Sequence, residues 1–267
     1  MGCRITDNLL KTSYNVRHVE ISDRGRALLS QRGISTMRAE EALDGAEVAI
    51  LALPDHLIGP ITREIEPLLK PGMMLVALDI AAALAGVLPE RNDLIYFVTH
   101  PCHPSIFGFE TDLEAQRDFF GGKHARQNII CSLVQGPEEA YDRGAIIARA
   151  IYAPVERAYR CTANQMGILE PVLSETVLGT CLTIFREALE EAIRRGVPRQ
   201  AATDFLLGHL KIELAIVLEL MEGATFSEGA LQAIDQAKQV LFRPDWKKVF
   251  DYEAMMQSIR QITAFRR

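Results

Sequence analysis

The chain has 267 residues, 48% hydrophobic and 24% charged, with a net charge of −6. That is material for one large or two ordinary domains, and it excludes a disordered chain or a basic nucleic-acid surface. No apolar run reaches the roughly 20 residues of a bilayer span, Met1–Asp7 lacks the apolar core of a signal peptide, and five scattered cysteines (Cys3, Cys102, Cys131, Cys161, Cys181) read as reduced cytoplasmic thiols.

Met1-Gly2 opens directly into a helical pattern over Cys3–Lys11. Strand patterns follow at Val16–Ser22, Ala46–Leu53, Met73–Asp79, Leu94–Thr99 and Asn128–Val134. Most are almost continuously apolar, as parallel strands covered on both faces are. Between them lie amphipathic segments such as His56–Leu69, stopped by Lys70-Pro71-Gly72. The sum is an α/β fold, a doubly wound Rossmann-type parallel sheet domain over residues 1–153. Such a domain normally starts with a strand and a glycine turn before the first helix, and here the strand and most of the turn are missing. The expectation is a biological start upstream, with a gap between Val16–Ser22 and Ala46–Leu53.

Beyond Tyr152-Ala153-Pro154 the strand pattern stops. Thr162–Arg195 reads as one long helix ending at Gly196, Pro198 opens a second that runs to Glu222, and Ser227 caps a third. Residues 154–267 are therefore expected to form an all-helical substrate and dimerisation domain. The Pro198–Glu222 helix is apolar around most of its circumference and needs burial all round, which predicts a homodimer.

Gly2 at a helix start, with Glu20 ending the next strand 18 residues on, is half of a dinucleotide fingerprint. Glu20 would accept bonds from the ribose hydroxyls and repel a 2′-phosphate, favouring NAD; a solvated strand-end glutamate is the plain alternative. Leu53-Pro54-Asp55-His56 ends a strand at the sheet edge where ligands bind. Leu53 and Pro54 are read as backbone contacts to the cofactor, whereas Asp55 and His56 read equally well as an ordinary turn. Thr99-His100-Pro101-Cys102-His103-Pro104 places two imidazoles three apart on a stiff turn at the same edge. Such histidines suit acid/base work or metal ligation, or else a capped surface loop. Glu170 lies in an otherwise apolar helical stretch beside Pro171, where a carboxylate is costly unless it is paired or ligating. A structural ion pair is the alternative. His209, in Gly208-His209-Leu210-Lys211-Ile212-Glu213, reads as a substrate residue or a satisfied core histidine.

Met-Gly-Cys-Arg, Val-Glu-Ile-Ser, Thr-His-Pro-Cys-His-Pro, Gln-Met-Gly-Ile-Leu-Glu-Pro, Ser-Glu-Thr and Asp-Phe-Leu-Leu-Gly-His, in that order, resemble a bacterial family. Its members carry a phosphogluconate dehydrogenase (decarboxylating) C-terminal domain behind an NAD-binding domain, and they include the D-apionate oxidoisomerases. The resemblance implies NAD-dependent oxidation of a small-molecule sugar acid coupled to carbon migration, as in a ketol-acid reductoisomerase run backwards. It also implies a divalent metal. On this reading Gly2, Glu20, Leu53 and Pro54 bind the cofactor, His100, His103, Glu170 and His209 are catalytic, and His103 and Glu170 hold the metal. A decarboxylating hydroxyacid dehydrogenase and a non-catalytic dinucleotide-binding protein are the alternatives.

Overall fold

The computed structural model describes residues 1–264. Two compact units divide the chain: Met1–Pro171 together with the chain from Met255, and Val172–Ala254. The first unit carries five strands, β1 (Val48–Leu51), β2 (Met74–Ala77), β3 (Ile95–Pro101), β4 (Gln127–Gln135) and β5 (Val155–Arg160), in the spatial order 1-2-3-4-5. Its helices are α1 (Gly2–Leu9), α2 (Asp23–Ser30), α3 (Ala39–Leu43), α4 (Asp55–Ile65), α5 (Ala81–Leu84), α6 (Leu113–Arg117), α7 (Ala140–Ile151) and α8 (Ala163–Gly167). The second unit holds α9 (Gly179–Arg194), α10 (Arg199–Val217) and α11 (Glu228–Leu241), and α12 (Tyr252–Ala264) follows.

Period-2 burial puts alternate residues of each strand on opposite faces of the sheet. On one face, Ile5 and Leu9 of α1 and Ile147 and Ile151 of α7 cover Met74, Val76, Phe97, Ile129 and Cys131. On the other, Leu43, Ile58 and Leu69 cover Leu51, Leu75 and Tyr96. Phe97 is fully buried, and Gly144 makes room for it: a Cβ there would come within 2.3 Å of its ring.

The fold is of the expected α/β class, with four local differences. β1, β2 and β3 run parallel, but β4 is antiparallel to β3. The chain between them forms loops and the five-residue α6 rather than a crossover helix, so β4 re-enters the sheet from the edge at which β3 left it. Val16–Ser22 is not a strand; it makes a single bridge, His18 to Thr36. Among the described residues none pairs with it further, so its alternation has no ladder to join, and Val19 and Ile21 stay exposed. The sheet also continues past residue 153. β5 pairs parallel with β4 and places only Val155 and Ala158 inward, too small an apolar signal to read as a strand. With β5 and α8 on the sheet, the compact unit extends to Pro171 rather than to residue 153.

Finally, the long helix from Thr162 is not α-helical throughout. Residues Ile168–Leu178 form a π-helix, because Pro171 has no N–H to give an i→i−4 bond and the ladder widens around it. The run Ala163–Arg194 also meets the length and composition of a membrane span. The test is one of length and composition only, and the stretch from 163 to 185 carries the charges Glu170 and Glu175.

Candidate active site

The carboxyl ends of β1, β2 and β3 lie at one edge of the sheet, and the chain leaving each end carries polar residues. β1 leads through Ala52-Leu53-Pro54 into Asp55, the first residue of α4. β2 leads to Leu78-Asp79, and β3 ends in the His100-Pro101-Cys102-His103 turn. Parallel strands necessarily gather such ends on one side, which is why ligands bind there.

His100 and His103 meet, with ring centroids 6.2 Å apart and planes nearly perpendicular. His100 Nδ1 lies 2.8 Å from the Leu78 carbonyl oxygen, and His103 Nδ1 lies 3.0 Å from that of Phe120. A carbonyl oxygen only accepts, so each Nδ1 carries the proton and each Nε2 keeps its lone pair. Histidines prepared as general bases or metal ligands are held in this way. His103 also sits in the left-handed region, at φ 59°. A non-glycine residue costs about 1–2 kcal/mol there, and such strain gathers at functional sites.

Two carboxylates complete the cluster. Asp79 Oδ2 stands 3.7 Å from His100 Nδ1, while its Oδ1 accepts the Ala81 N–H at 2.7 Å. Burial pushes the His100 imidazole below its ordinary range, against the opposing pull of Asp79. Burial, and then the charge of Asp79, push the Asp55 carboxyl up to about 6. Asp79 was not among the expected site residues. Its signal was present, since it is the last residue of the predicted strand Met73–Asp79 and so belongs at the ligand edge.

The Asp55 shift has a sign that can be tested. Its folded value exceeds the ordinary 3.8 of a free aspartate, so the native state binds the proton more tightly than the unfolded chain. Stability is then lost as pH rises from about 3.8 to about 6 and stays lost above. Asp55→Asn should therefore raise Tm at pH values above that window and change it little at the acidic end. Thermal melts across the range check this; an equal Tm difference at every pH rejects it.

Of the residues expected to bind a cofactor, Gly2, Leu53 and Pro54 lie by the end of β1. A Cβ on Gly2 would stand 3.8 Å from that of Ala52, so the start of α1, which no side chain caps, lies beside the end of β1. Uncapped N–H groups at a helix start suit a phosphate. Glu20 Oε1 accepts the Ser22 N–H at 2.8 Å, and its carboxyl group lies against Gly25 in the first turn of α2.

Glu170 is half-buried in the π-helix. Gly167, one turn earlier, is a packing residue: a Cβ there would stand 2.8 Å from Leu84 and 2.9 Å from the Met255 sulfur. His209 belongs to the second unit, where it is exposed, stacked on Phe205 at 3.8 Å, and bonded through Nδ1 to the Phe205 carbonyl oxygen. It is not a core histidine. Among the described residues, the group of three donors with ligand atoms within 4.8 Å of one another is Asp112, Glu114 and His124, all exposed. His100, His103 and Glu170 do not form such a trio.

Residues 109–263 match the family model described as phosphogluconate dehydrogenase (decarboxylating) C-term. The chain is 52% identical to a D-apionate oxidoisomerase of Cupriavidus necator, covering 98% of this chain and 95% of that protein. It is 49% identical to a D-apionate oxidoisomerase of Rhizobium rhizogenes, covering 98% and 96%. Among solved structures it resembles a semialdehyde dehydrogenase NAD-binding protein from Cupriavidus necator in complex with calcium and NAD, with a TM-score of 0.96 at 52% identity and coverage of 98% and 95%. At such identity over almost the whole length, the chain belongs to the family of D-apionate oxidoisomerases that carry the phosphogluconate dehydrogenase C-terminal domain.

Proposed function

We propose that this protein oxidises a sugar acid of the D-apionate type at a hydroxyl group, with NAD as acceptor, and couples the oxidation to carbon migration. The observation that carries the reading is the His100–His103 pair at the ligand edge of the sheet, each ring fixed with a lone pair on Nε2.

When bound, NAD would supply the hydride acceptor and a divalent ion would supply a Lewis acid for the substrate oxygens. The chain's own residues divide the remaining work. Gly2 and the first N–H groups of α1 take the pyrophosphate, Glu20 takes the ribose hydroxyls, and Leu53 and Pro54 line the nicotinamide side. His100 Nε2 receives the hydroxyl proton as hydride leaves the same carbinol carbon, and Asp79 stabilises the charge this creates on the ring. His103 and Glu170 would hold the divalent ion. An imidazole donor fits a transition metal or zinc better than calcium, which prefers oxygen ligands.

The cofactor assignment has a direct test. Glu20→Arg should shift preference from NAD towards NADP, because the ribose acceptor is lost and a 2′-phosphate gains a partner. An unchanged ratio of kcat/KM for the two cofactors would remove Glu20 from the site.

The reading also includes a cytoplasmic homodimer. All five cysteines are free. On α10, Phe205, Leu207 and Val217 are 60% exposed or more, and large apolar side chains left exposed around one helix ask for a partner. Light scattering should report twice the chain mass at micromolar concentration; a monomer would reject the dimer.

A further inference from the structure

The loop that holds His103 is itself held by a residue of α1. Phe119 and Phe120 are 80% and 60% exposed, so packing does little to fix their segment. Gly121 and Gly122 follow at φ 68° and 75°, a left-handed pair that costs glycine little and leaves the backbone free to move. Polar ties do the fixing. Asp118, its side chain only 4% exposed, accepts the N–H groups of Lys123, His124 and Ala125 on Oδ2 at 3.1, 3.0 and 3.4 Å. Arg4 Nη1 donates to Asp118 Oδ1 at 2.7 Å and to the Gly121 carbonyl oxygen at 2.6 Å. One turn further along α1, Asn8 Nδ2 donates to the Gly122 carbonyl oxygen at 2.9 Å. Arg4 and Asn8 share a helix face at i, i+4, so α1 grips two consecutive carbonyls. The residue before them is Phe120. Its ring lies 5.4 Å from the Arg4 guanidinium and 5.7 Å from the His103 ring, and its carbonyl accepts from His103 Nδ1.

We propose that Arg4 is a positioning residue: through Asp118 and Gly121 it sets the Phe120 carbonyl and so holds His103 in the tautomer with its lone pair on Nε2. The helix that grips the loop begins at Gly2, where the proposed function seats the pyrophosphate, so the inference rests on that reading for its catalytic consequence. Gly2, at the cofactor end of α1, and Arg4, which grips the loop beside His103, are two residues apart on one helix.

The test is made on the full chain with ring-15N histidine, because long-range 1H–15N spectra distinguish the two neutral tautomers whether or not the protein is active. In the native protein, His103 should appear as the Nδ1–H form alone. In Arg4→Met it should become a mixture with substantial Nε2–H form, while kcat falls about 10- to 100-fold, the usual effect of removing such a support, and KM for NAD changes little. Arg4→Lys, which restores one donor, should recover part of both signals. Should Arg4→Met fail to fold, Arg4→Gln carries the same spectrum test. A purely structural Arg4 would lower Tm and leave His103 wholly Nδ1–H, and that result overturns the proposal. If the tautomer shifts but kcat does not, the positioning link stands and the catalytic reading of His103 falls.

Discussion

Replacing His103 with asparagine should lower kcat by about 100-fold or more, because the ion that polarises the substrate oxygens would lose its imidazole donor, with the fold intact. Asparagine is the informative substitution because it tolerates the left-handed backbone of this position (φ 59°) better than alanine does. A loss in His103→Asn therefore reports the imidazole rather than the turn. Glu170→Gln should act similarly, since it keeps the shape and removes the charge. If His103 and Glu170 hold the metal, a chelator will reproduce the loss in the native protein and add nothing to the variants. NADH formation with D-apionate as substrate measures all three. Near-native turnover in both variants would remove His103 and Glu170 from the site.

The second large effect is on stability. Phe97→Ala should cost about 3–5 kcal/mol, the usual price of emptying a buried phenylalanine site. That is a large part of the roughly 5–15 kcal/mol by which a typical domain is stable. The ring is fully buried at the centre of the sheet, 5.8 Å from Tyr141 and pressed onto Gly144, whose fixed backbone cannot close the cavity. Urea unfolding should show the midpoint falling with the slope unchanged. Phe205→Ala is the contrast: that ring is 67% exposed, so the change should leave chain stability nearly untouched and act on association. Equal losses in the two variants would contradict the burial that separates them.

Much of the frame was legible because its signals are local. Met74, Leu75, Val76 and Ala77 are apolar without interruption because both faces of β2 are covered. Ser227 caps α11 by accepting the Ala230 N–H, a bond between neighbours in sequence. The histidine turn could be placed at the ligand edge because it follows a strand. Asp79 went unread for a simple reason: a single aspartate at a strand end is common, and its meaning came from His100, 21 residues away.

The residues alone determined that the chain has buried parallel strands, a long helical second half and two imidazoles on a stiff turn. Periodicity, caps and prolines act over a few residues, and they survive in the sequence as pattern. The tertiary structure decided the direction of β4, the existence of β5, the widening of the helix at Pro171, and the tautomers of His100 and His103. Each of these depends on a partner that sequence distance conceals: β5 needs the edge of β4, His103 needs the Phe120 carbonyl, and the next carbonyl, that of Gly121, is held by Arg4, more than a hundred residues before it. A hydrogen bond is specified by where two groups meet, and only the folded chain brings them together.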